Sequence, residues 1–470
     1  MTEQILSTTS AEVVPSFGTE IKRVLRLFSP IFLGQIAQTS MSVVDTVMAG
    51  AAGTEQLSGV AIGAALFWPV LMSVMGLSFA ISPIVAQLRG AGKRELIAGR
   101  VHLATVICML YSLIAAGIVF MLPLLYRFMP DINAEMVRVA TGYLIAVGLG
   151  MPGFALFNIL RSYSEGLGNT MPTLIFGFIA LLLNIPLNYI FIFGKFGLPA
   201  LGGIGCGVAT SLTIYIAAFL FLIYVQRHKF YANCRIYRRL YPVTLEGIKR
   251  YLHLGIPLAL SAMIEVACFS LTSFLLSPFG PVVVAAHSIA MNISGLLFMF
   301  AFSLANSVTI RTGEAMGAMH WNRAKRSMLC TYVLGFIFVA FNTIIVLTLR
   351  HDIIGLYTSS EEVWQMAEWL VFLCVLYQLP DCIQVIAIGV LRGFKDSRTI
   401  FWVTICSYWL VGMPLGFSLA YGFIGSEPMA AQGFWLGFIA ALVTCSLFYV
   451  SRLVYLFKHR QVPKGMHLSL

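Results

Sequence analysis

The sequence predicts an all-α integral membrane protein of twelve transmembrane helices in two six-helix lobes. Two observations give the class and a third gives the pairing of lobes. The 470 residues are 59% hydrophobic and only 10% Asp, Glu, Lys or Arg, whereas a soluble domain is typically about 45–50% apolar and about 25% charged. The apolar residues gather in long stretches, and landmarks of the first half recur in the second at a shift of 227 to 231 residues. A chain of this size needs charge to cover its surface in water, so the composition argues against a soluble enzyme or a nucleic-acid binder.

A hydrocarbon core of about 30 Å needs roughly 20 apolar residues per helical crossing. The first stretch, 28–49, has a polar face, because Gln35, Gln38, Ser42 and Asp45 follow i, i+3, i+7, i+10. The second, 57–85, contains Gly59 and Gly63, a GxxxG that reads as close helix packing. The third and fourth are 101–125 and 140–160. The fifth, 171–193, sets Asn184 and Asn188 one turn apart around Pro186. The sixth, 204–225, follows the glycine-rich run Gly202 to Gly207. That run lacks GxGxxG spacing and follows no predicted strand, so it reads as a loop-to-helix turn.

The seventh stretch, 252–277, puts Ser261, Glu265 and Cys268 on one face, and the eighth, 282–309, holds His287 as a satisfied polar residue. The ninth is 329–349. The tenth, 365–390, aligns Tyr377, Gln378, Asp381 and Gln384 beside Pro380, with Glu368 solvated near its outer end. The eleventh and twelfth are 400–421 and 432–457, and little chain is left for a soluble domain.

The formal net charge is +11. With the N-terminus placed in the cytoplasm, 26 of the 30 Lys and Arg fall inside and only Arg127, Arg138, Lys195 and Arg350 outside. This is the positive-inside pattern of a multi-pass protein with both termini cytoplasmic. The basic stretch Arg227 to Arg250 is then an inner linker, not a nucleic-acid site. The first twenty residues lack a charged start, short apolar run and small-residue cleavage site, so no cleaved signal peptide is expected. The nine cysteines are scattered with no CxxC pair, which predicts neither a disulfide framework nor a structural zinc site.

The repeat is colinear. Ile21-Lys22-Arg23, Leu25, Leu27, Pro30 and Gly90-Ala91 reappear 227 residues later as Ile248-Lys249-Arg250, Leu252, Leu254, Pro257 and Gly317-Ala318. Pro152, Pro186-Leu187 and Gly205 reappear after 228 residues as Pro380, Pro414-Leu415 and Gly433, and Leu160-Arg161 after 231 as Leu391-Arg392. The chain thus divides into an N-terminal lobe (1–226), a cytoplasmic linker (227–247) and a C-terminal lobe (248–470). Six helices return the chain to its starting side, so the lobes are related by an axis along the membrane normal, with a substrate path between them.

Asp45, Glu265 and Asp381 sit within otherwise apolar stretches. A charge at mid-bilayer costs about 2.5–3.5 kcal/mol on insertion scales, so such residues face a bundle interior or an aqueous cavity and are functional by default. Asp45 lies near the outer end of the first helix, and Asn184 and Asn188 lie in the outer half of the fifth. These groups could therefore meet inside the first lobe. Carboxylate, amide and hydroxyl oxygens suit a hard cation such as Na⁺ and also suit a proton relay. The structural alternative is a carboxylate that only hydrogen-bonds its neighbours and, for the two asparagines, interhelical bonding. Among 21 Met and 35 Phe, most read as lipid-facing or core, with some able to line an adaptable cavity.

Several segments resemble the multidrug and toxic compound extrusion (MATE) family. Val44-Asp45-Thr46-Val47-Met48-Ala49-Gly50 is similar to its first-helix signature, and Leu160 to Thr173 (LRSYSEGLGNTMPT) to its fourth inner-loop motif. Leu391-Arg392-Gly393 with Lys395-Asp396-Ser397-Arg398 resembles the counterpart in the second half, and Gly255-Ile256-Pro257 through Glu265 resembles the seventh helix. The resemblance implies a MATE-like fold and a Na⁺- or H⁺-driven antiporter in the bacterial inner (plasma) membrane, a monomer exporting cationic small molecules.

By the same resemblance, which is to the NorM-type branch, Glu265, Tyr377 and Asp381 form a cation site in the second lobe, with Na⁺ at Glu265 and Asp381. Asp45, Asn184 and Asn188 form the acidic cluster of the first lobe. Candidates for touching substrate are Asp45, Gln38, Gln384 and the adjacent acids Glu361 and Glu362. Apart from the coupling ion, no cofactor is expected. The alternative is a lipid-linked or polysaccharide flippase of a related fold, which favours a basic cavity. No HExxH or similar constellation suggests an integral-membrane enzyme. The second inner loop, Gln87 to Arg94, lacks the Asp-Arg element of a major-facilitator transporter.

Overall fold

The computed structural model describes residues 14–128, 133–237, 239, 241–358, 360–423 and 427–463. Residues 1–13, where the sequence predicts no leader, lie outside the described residues, as do Arg238 and Lys464 among the basic residues assigned to the inner side. Among the described residues twelve helices are long and apolar enough to cross a membrane: α1 (Phe17–Ala52), α2 (Thr54–Gly90), α3 (Arg94–Arg127), α4 (Ala134–Gly166), α5 (Met171–Phe193) and α6 (Gly203–Arg227) in the first half. The second half supplies α7 (Leu245–Phe279), α8 (Pro281–Gly317), α9 (Trp321–Gly355), α10 (Glu361–Gly393), α11 (Ser397–Ala420) and α12 (Ala430–His459). No strand occurs among the described residues. The chain is a multi-pass membrane protein.

Most helices run past their apolar stretch. α2 has 37 residues, about 55 Å at 1.5 Å per residue, well beyond a core of about 30 Å. Polar caps set the limits of several. The Ser16 hydroxyl accepts from the Thr19 amide at the start of α1, and Thr244 caps α7 through the Gly247 amide. Prolines 30, 69, 152, 186, 257 and 380 lie inside helices. In a membrane, neighbouring helices satisfy the backbone groups that an interior proline frees. α2 is interrupted at Ala80, and α11 carries a π-helical stretch from Cys406 to Gly412.

Helix pairing repeats between the halves. α1 packs on α5 as α7 packs on α11, α2 on α4 as α8 on α10, and α4 on α6 as α10 on α12. Gly59 and Gly63 serve the α2–α4 contact, where a Cβ on either would lie 2.6 Å from Val139 or 2.9 Å from the Tyr143 ring. The Gly202 run is a turn into α6, with Gly202 at φ 57°. Large apolar side chains such as Val47, Ile114, Met121, Leu410 and Leu447 are left exposed around the bundle. In a lipid solvent that exposure is the expected surface.

The halves meet through α2 on α7, its counterpart α8 on α1, and α2 on α8 across the centre. The hydrogen bonds, ion pairs and ring contacts that join them, among the described residues, lie between mid-depth and the end rich in Lys and Arg, here termed the basic end. Arg89 pairs with Glu314 at 2.7 Å, and Arg311 makes two 2.8 Å bonds to the fully buried Glu20. Gln87 donates to the Gly393 carbonyl, and Tyr251 to that of Leu77. Phe28 and Phe32 meet Phe300 and Phe338 nearer mid-depth. The repeat-related glycines cross at this end. A Cβ on Gly90 would stand 2.0 Å from the Glu314 carbonyl oxygen, and one on Gly317 would stand 2.0 Å from that of Gln87.

Candidate functional site

A cavity of about 290 Å³ lies between the halves. Gln35, Met72, Met75 and Phe79 line it from the first half; Glu265, Phe269, Met291, Phe298, Tyr377 and Arg392 are among the residues from the second. Phe79 also meets Phe302 and lies 4.9 Å from the Arg392 guanidinium, so the contacts of the basic end form the floor. Aromatic faces and thioethers attract soft, polarisable cations with few directional demands. The carboxylate supplies the charge.

Glu265 projects from α7 into this cavity. One carboxylate oxygen, Oε1, accepts from Tyr408 at 2.8 Å and from Gln384 at 3.4 Å. Tyr408 stands on the π-helical stretch of α11, a departure that recurs at functional sites because it re-aims a side chain. Asp381, one turn before Gln384 on α10, faces elsewhere. It lines a much smaller space with Gln378, Asn342 and Cys382, and its Oδ1 is buried without a hydrogen-bond partner. Both amide atoms of Gln378 are likewise unpartnered. Tyr377 and Ser294 line both spaces. The two acids assigned with Tyr377 to one cation site thus flank it, Glu265 on the central cavity and Asp381 behind it, and among the described residues no hydrogen bond joins the acids.

The first-half cluster is tightly bonded. Asn188 donates to Asp45 Oδ1 at 2.5 Å and to Asn184 Oδ1 at 2.9 Å, Thr210 donates to Asp45 Oδ2 at 2.8 Å, and the Asn184 amide reaches Thr210 at 3.4 Å. Asn184 and Asn188 are fully buried. The helical spacing and depth inferred from sequence therefore bring Asp45, Asn184 and Asn188 together. Thr210, in an apolar helix with no charged neighbour, gave no signal.

Four of the residues expected to touch substrate, Gln38, Gln384, Glu361 and Glu362, lie apart from the Asp45 cluster. Gln38 and Gln35 do not extend the Asp45 cluster. Both accept from Arg161, at 3.3 and 2.8 Å, while Arg161 Nε donates to Glu165 at 2.8 Å. Gln384 serves Glu265 and not Asp381. Glu361 and Glu362 occupy the exposed first turn of α10, where Gln365 donates to Glu361, and neither lines the cavity. Arg392, assigned to the inner basic residues, is inside α10 and reaches the cavity. Its repeat mate Arg161 is held by Glu165, but Asp396, the mate of Glu165, pairs with Arg452 at 2.8 Å. Arg392 Nε is left buried and unpartnered. His287 accepts from Trp435 and bonds Ser273, as expected of a satisfied polar residue. Glu368 pairs with Arg350 at 3.1 Å. Between α10 and α11, burial pushes the Lys395 amine down to about 7, with the Arg100 charge acting in the same direction.

Comparison with known proteins places this geometry. The MatE family model matches residues 30–190 and again 257–418, once in each half. Multidrug resistance protein MdtK of Photorhabdus laumondii subsp. laumondii is 38% identical over 434 residues, which cover 92% of this chain and 95% of that protein. Among solved structures, the eukaryotic MATE transporter AtDTX14 superposes with a TM-score of 0.86 at 19% identity, covering 96% of this chain and 98% of that one. An outward-facing multidrug resistance MATE family transporter of the MOP superfamily gives 0.80 at 19% identity, over 93% and 97%. A MOP superfamily transporter from Pyrococcus furiosus, described as having a binding pocket of reverse polarity, gives 0.81 at 19% identity over the same shares. At these identities the solved structures speak for the fold.

Proposed function

The chain belongs to the MatE family, a family of membrane transporters and not of enzymes, and from that premise we propose that it exports organic cations from the cytoplasm in exchange for Na⁺ or H⁺. The observation that carries the reading is Glu265 on the wall of an apolar, aromatic cavity between the halves, with the unpartnered Asp381 oxygen behind Tyr377. A buried carboxylate oxygen with no donor is costly as it stands and is relieved by a cation or a proton. In this reading Glu265, Tyr377 and Asp381 hold the coupling ion, and its arrival neutralises charge that retains the cationic drug. Ion and drug then disfavour one another reciprocally.

Residues 1–226 and 248–470 act as two lobes joined by 227–247, and rocking of one against the other exposes the cavity alternately to the two sides. The basic end faces the cytoplasm, both termini included, and the protein works as a monomer in a bacterial inner membrane. Arg392 favours a second reading, movement of a lipid with an anionic headgroup. With Glu265 in the same cavity, however, the walls carry no net positive charge.

Reconstituted vesicles test the assignment. Efflux of a cationic dye is followed while Na⁺ and pH gradients are imposed separately, in the native protein and in Glu265→Gln and Asp381→Asn. The expected result is that one gradient drives efflux and both variants lose that response. Unchanged transport with unchanged ion dependence in both variants overturns the ion-site assignment. Transport of an anionic lipid probe without dye efflux moves the choice to the second reading.

A further inference from the structure

A groove of about 360 Å³ runs between α9 and α12 on the outside of the second half. Its walls are apolar. Leu453, Val454 and Phe457 come from α12, and Tyr332 from α9. The Tyr332 hydroxyl is turned inward, donating to the Ile383 carbonyl at 3.3 Å. Val454 is 59% exposed, so this surface faces lipid. Lys325, in the second turn of α9, and Lys458, in the last turn of α12, line the groove at its basic end.

Both lysines are exposed, and among the described residues neither forms an ion pair. At the same end of the bundle Arg89, Arg250, Arg311 and Arg452 are all held by carboxylates. Two free ammonium groups at headgroup level attract an anion, and hydrocarbon walls below them exclude a hydrated one. A molecule with a phosphate at one end and an acyl chain at the other meets both conditions. We propose that this groove is a binding site for an anionic phospholipid, its phosphate between Lys325 and Lys458 and an acyl chain along Val454 and Phe457. The lipid rather than free phosphate is the ligand because most of the lining is apolar. The site is separate from the central cavity and does not depend on what is transported.

The test uses the purified full-length protein, delipidated in detergent and titrated with phosphatidylglycerol or with phosphatidylcholine of the same acyl chains, with bound lipid counted by native mass spectrometry. Phosphatidylglycerol is expected to bind and phosphatidylcholine is not. In Lys325→Gln/Lys458→Gln the apparent affinity falls roughly twenty-five-fold, about fivefold for each basic group near the headgroups. Val454→Trp fills the groove, leaves both charges, and is also expected to lose the lipid. Arg227→Gln/Lys229→Gln removes two charges from the same end of the first half and retains it. Millimolar inorganic phosphate leaves bound lipid in place.

The assignment is overturned if the lysine pair can be removed without loss, if phosphatidylcholine binds equally, or if the control variant loses as much. Full retention in Val454→Trp, or displacement by phosphate, likewise overturns the acyl-chain half of the assignment. The thermal midpoint of each variant confirms that loss of lipid is not loss of fold.

Discussion

The two halves of the molecule bury the same kinds of groups and treat them differently. In the first half both oxygens of Asp45 accept hydrogen bonds, and Arg161 is held by Glu165 and two glutamines. In the second half Glu265 shares a single oxygen between two donors, Asp381 Oδ1 has no donor, and Arg392 Nε has no acceptor. Buried polar groups are overwhelmingly paired in folded proteins, so each unpaired one calls for an explanation. The contrast teaches that the repeat did not preserve the bonding of buried polar groups evenly. Around its carboxylate the first half is a closed polar network, in which, among the described residues, Asn188 Oδ1 alone lacks a partner, and the second half is an open one.

Glu265→Gln attacks the open network directly and carries the largest effect: ion-driven dye efflux is expected to fall at least tenfold, a loss of about 1.4 kcal/mol or more. If Asp45→Asn gives an equal or larger fall in the same vesicles, the contrast between halves fails. Asn188→Leu attacks the closed network. It strips donors from Asp45 and Asn184 in a fully buried site, so it is expected to cost about 1–3 kcal/mol of stability, seen as a lower thermal midpoint. Gln384→Leu in the second half costs less, because Tyr408 still serves Glu265.

Tyr408→Phe sharpens the comparison further. Freed of its shorter hydrogen bond, Glu265 is expected to bind the coupling ion up to about tenfold more tightly, read as a lower half-saturating ion concentration for efflux. A smaller effect concerns pH. Where the first half buries the Ser164 hydroxyl, the second buries the Lys395 amine. That amine titrates near 7 when folded and near its ordinary 10.5 when unfolded. The folded chain therefore binds fewer protons across that window, and stability is expected to rise as pH climbs through it. Lys395→Met removes that slope. Glu361→Gln/Glu362→Gln touches neither network, and its stability and efflux are expected to stay within about 0.5 kcal/mol of the native values.

Much of this was legible in the chain itself. Hydropathy located the twelve crossings among the described residues, and the repeat reappears in the matching helix pairs of the two halves, because both depend on patterns many residues long. The Asp45 cluster was legible because i,i+4 spacing and depth are both set by helix geometry. The open network was harder to read. The alignment of Tyr377, Gln378, Asp381 and Gln384 assumes one straight face, and Pro380 lies in the middle of it. Tyr408 reaches Glu265 from a π-helical stretch whose extra residue per turn leaves no mark on the pattern of side chains. Arg392 looked like a loop residue because apolar stretches end before helices do. Which partner an inward-facing arginine takes, the Glu165 carboxylate in one half and only the Phe79 ring in the other, is a property of tertiary packing alone.

The crossing of Gly90 and Gly317 has a mechanical meaning. Backbone meets backbone there with no side chain between, the tightest crossing within a broader contact of α2 on α7 and α8 and of α1 on α8. A close backbone crossing resists translation more than it resists rotation. Any rotation that leaves it intact is magnified by the length of α2, and about 10° there would carry the opposite end of that helix through about 9 Å at 1.5 Å per residue. Small angular changes at one pole of the molecule would thus appear as a wide aperture at the other.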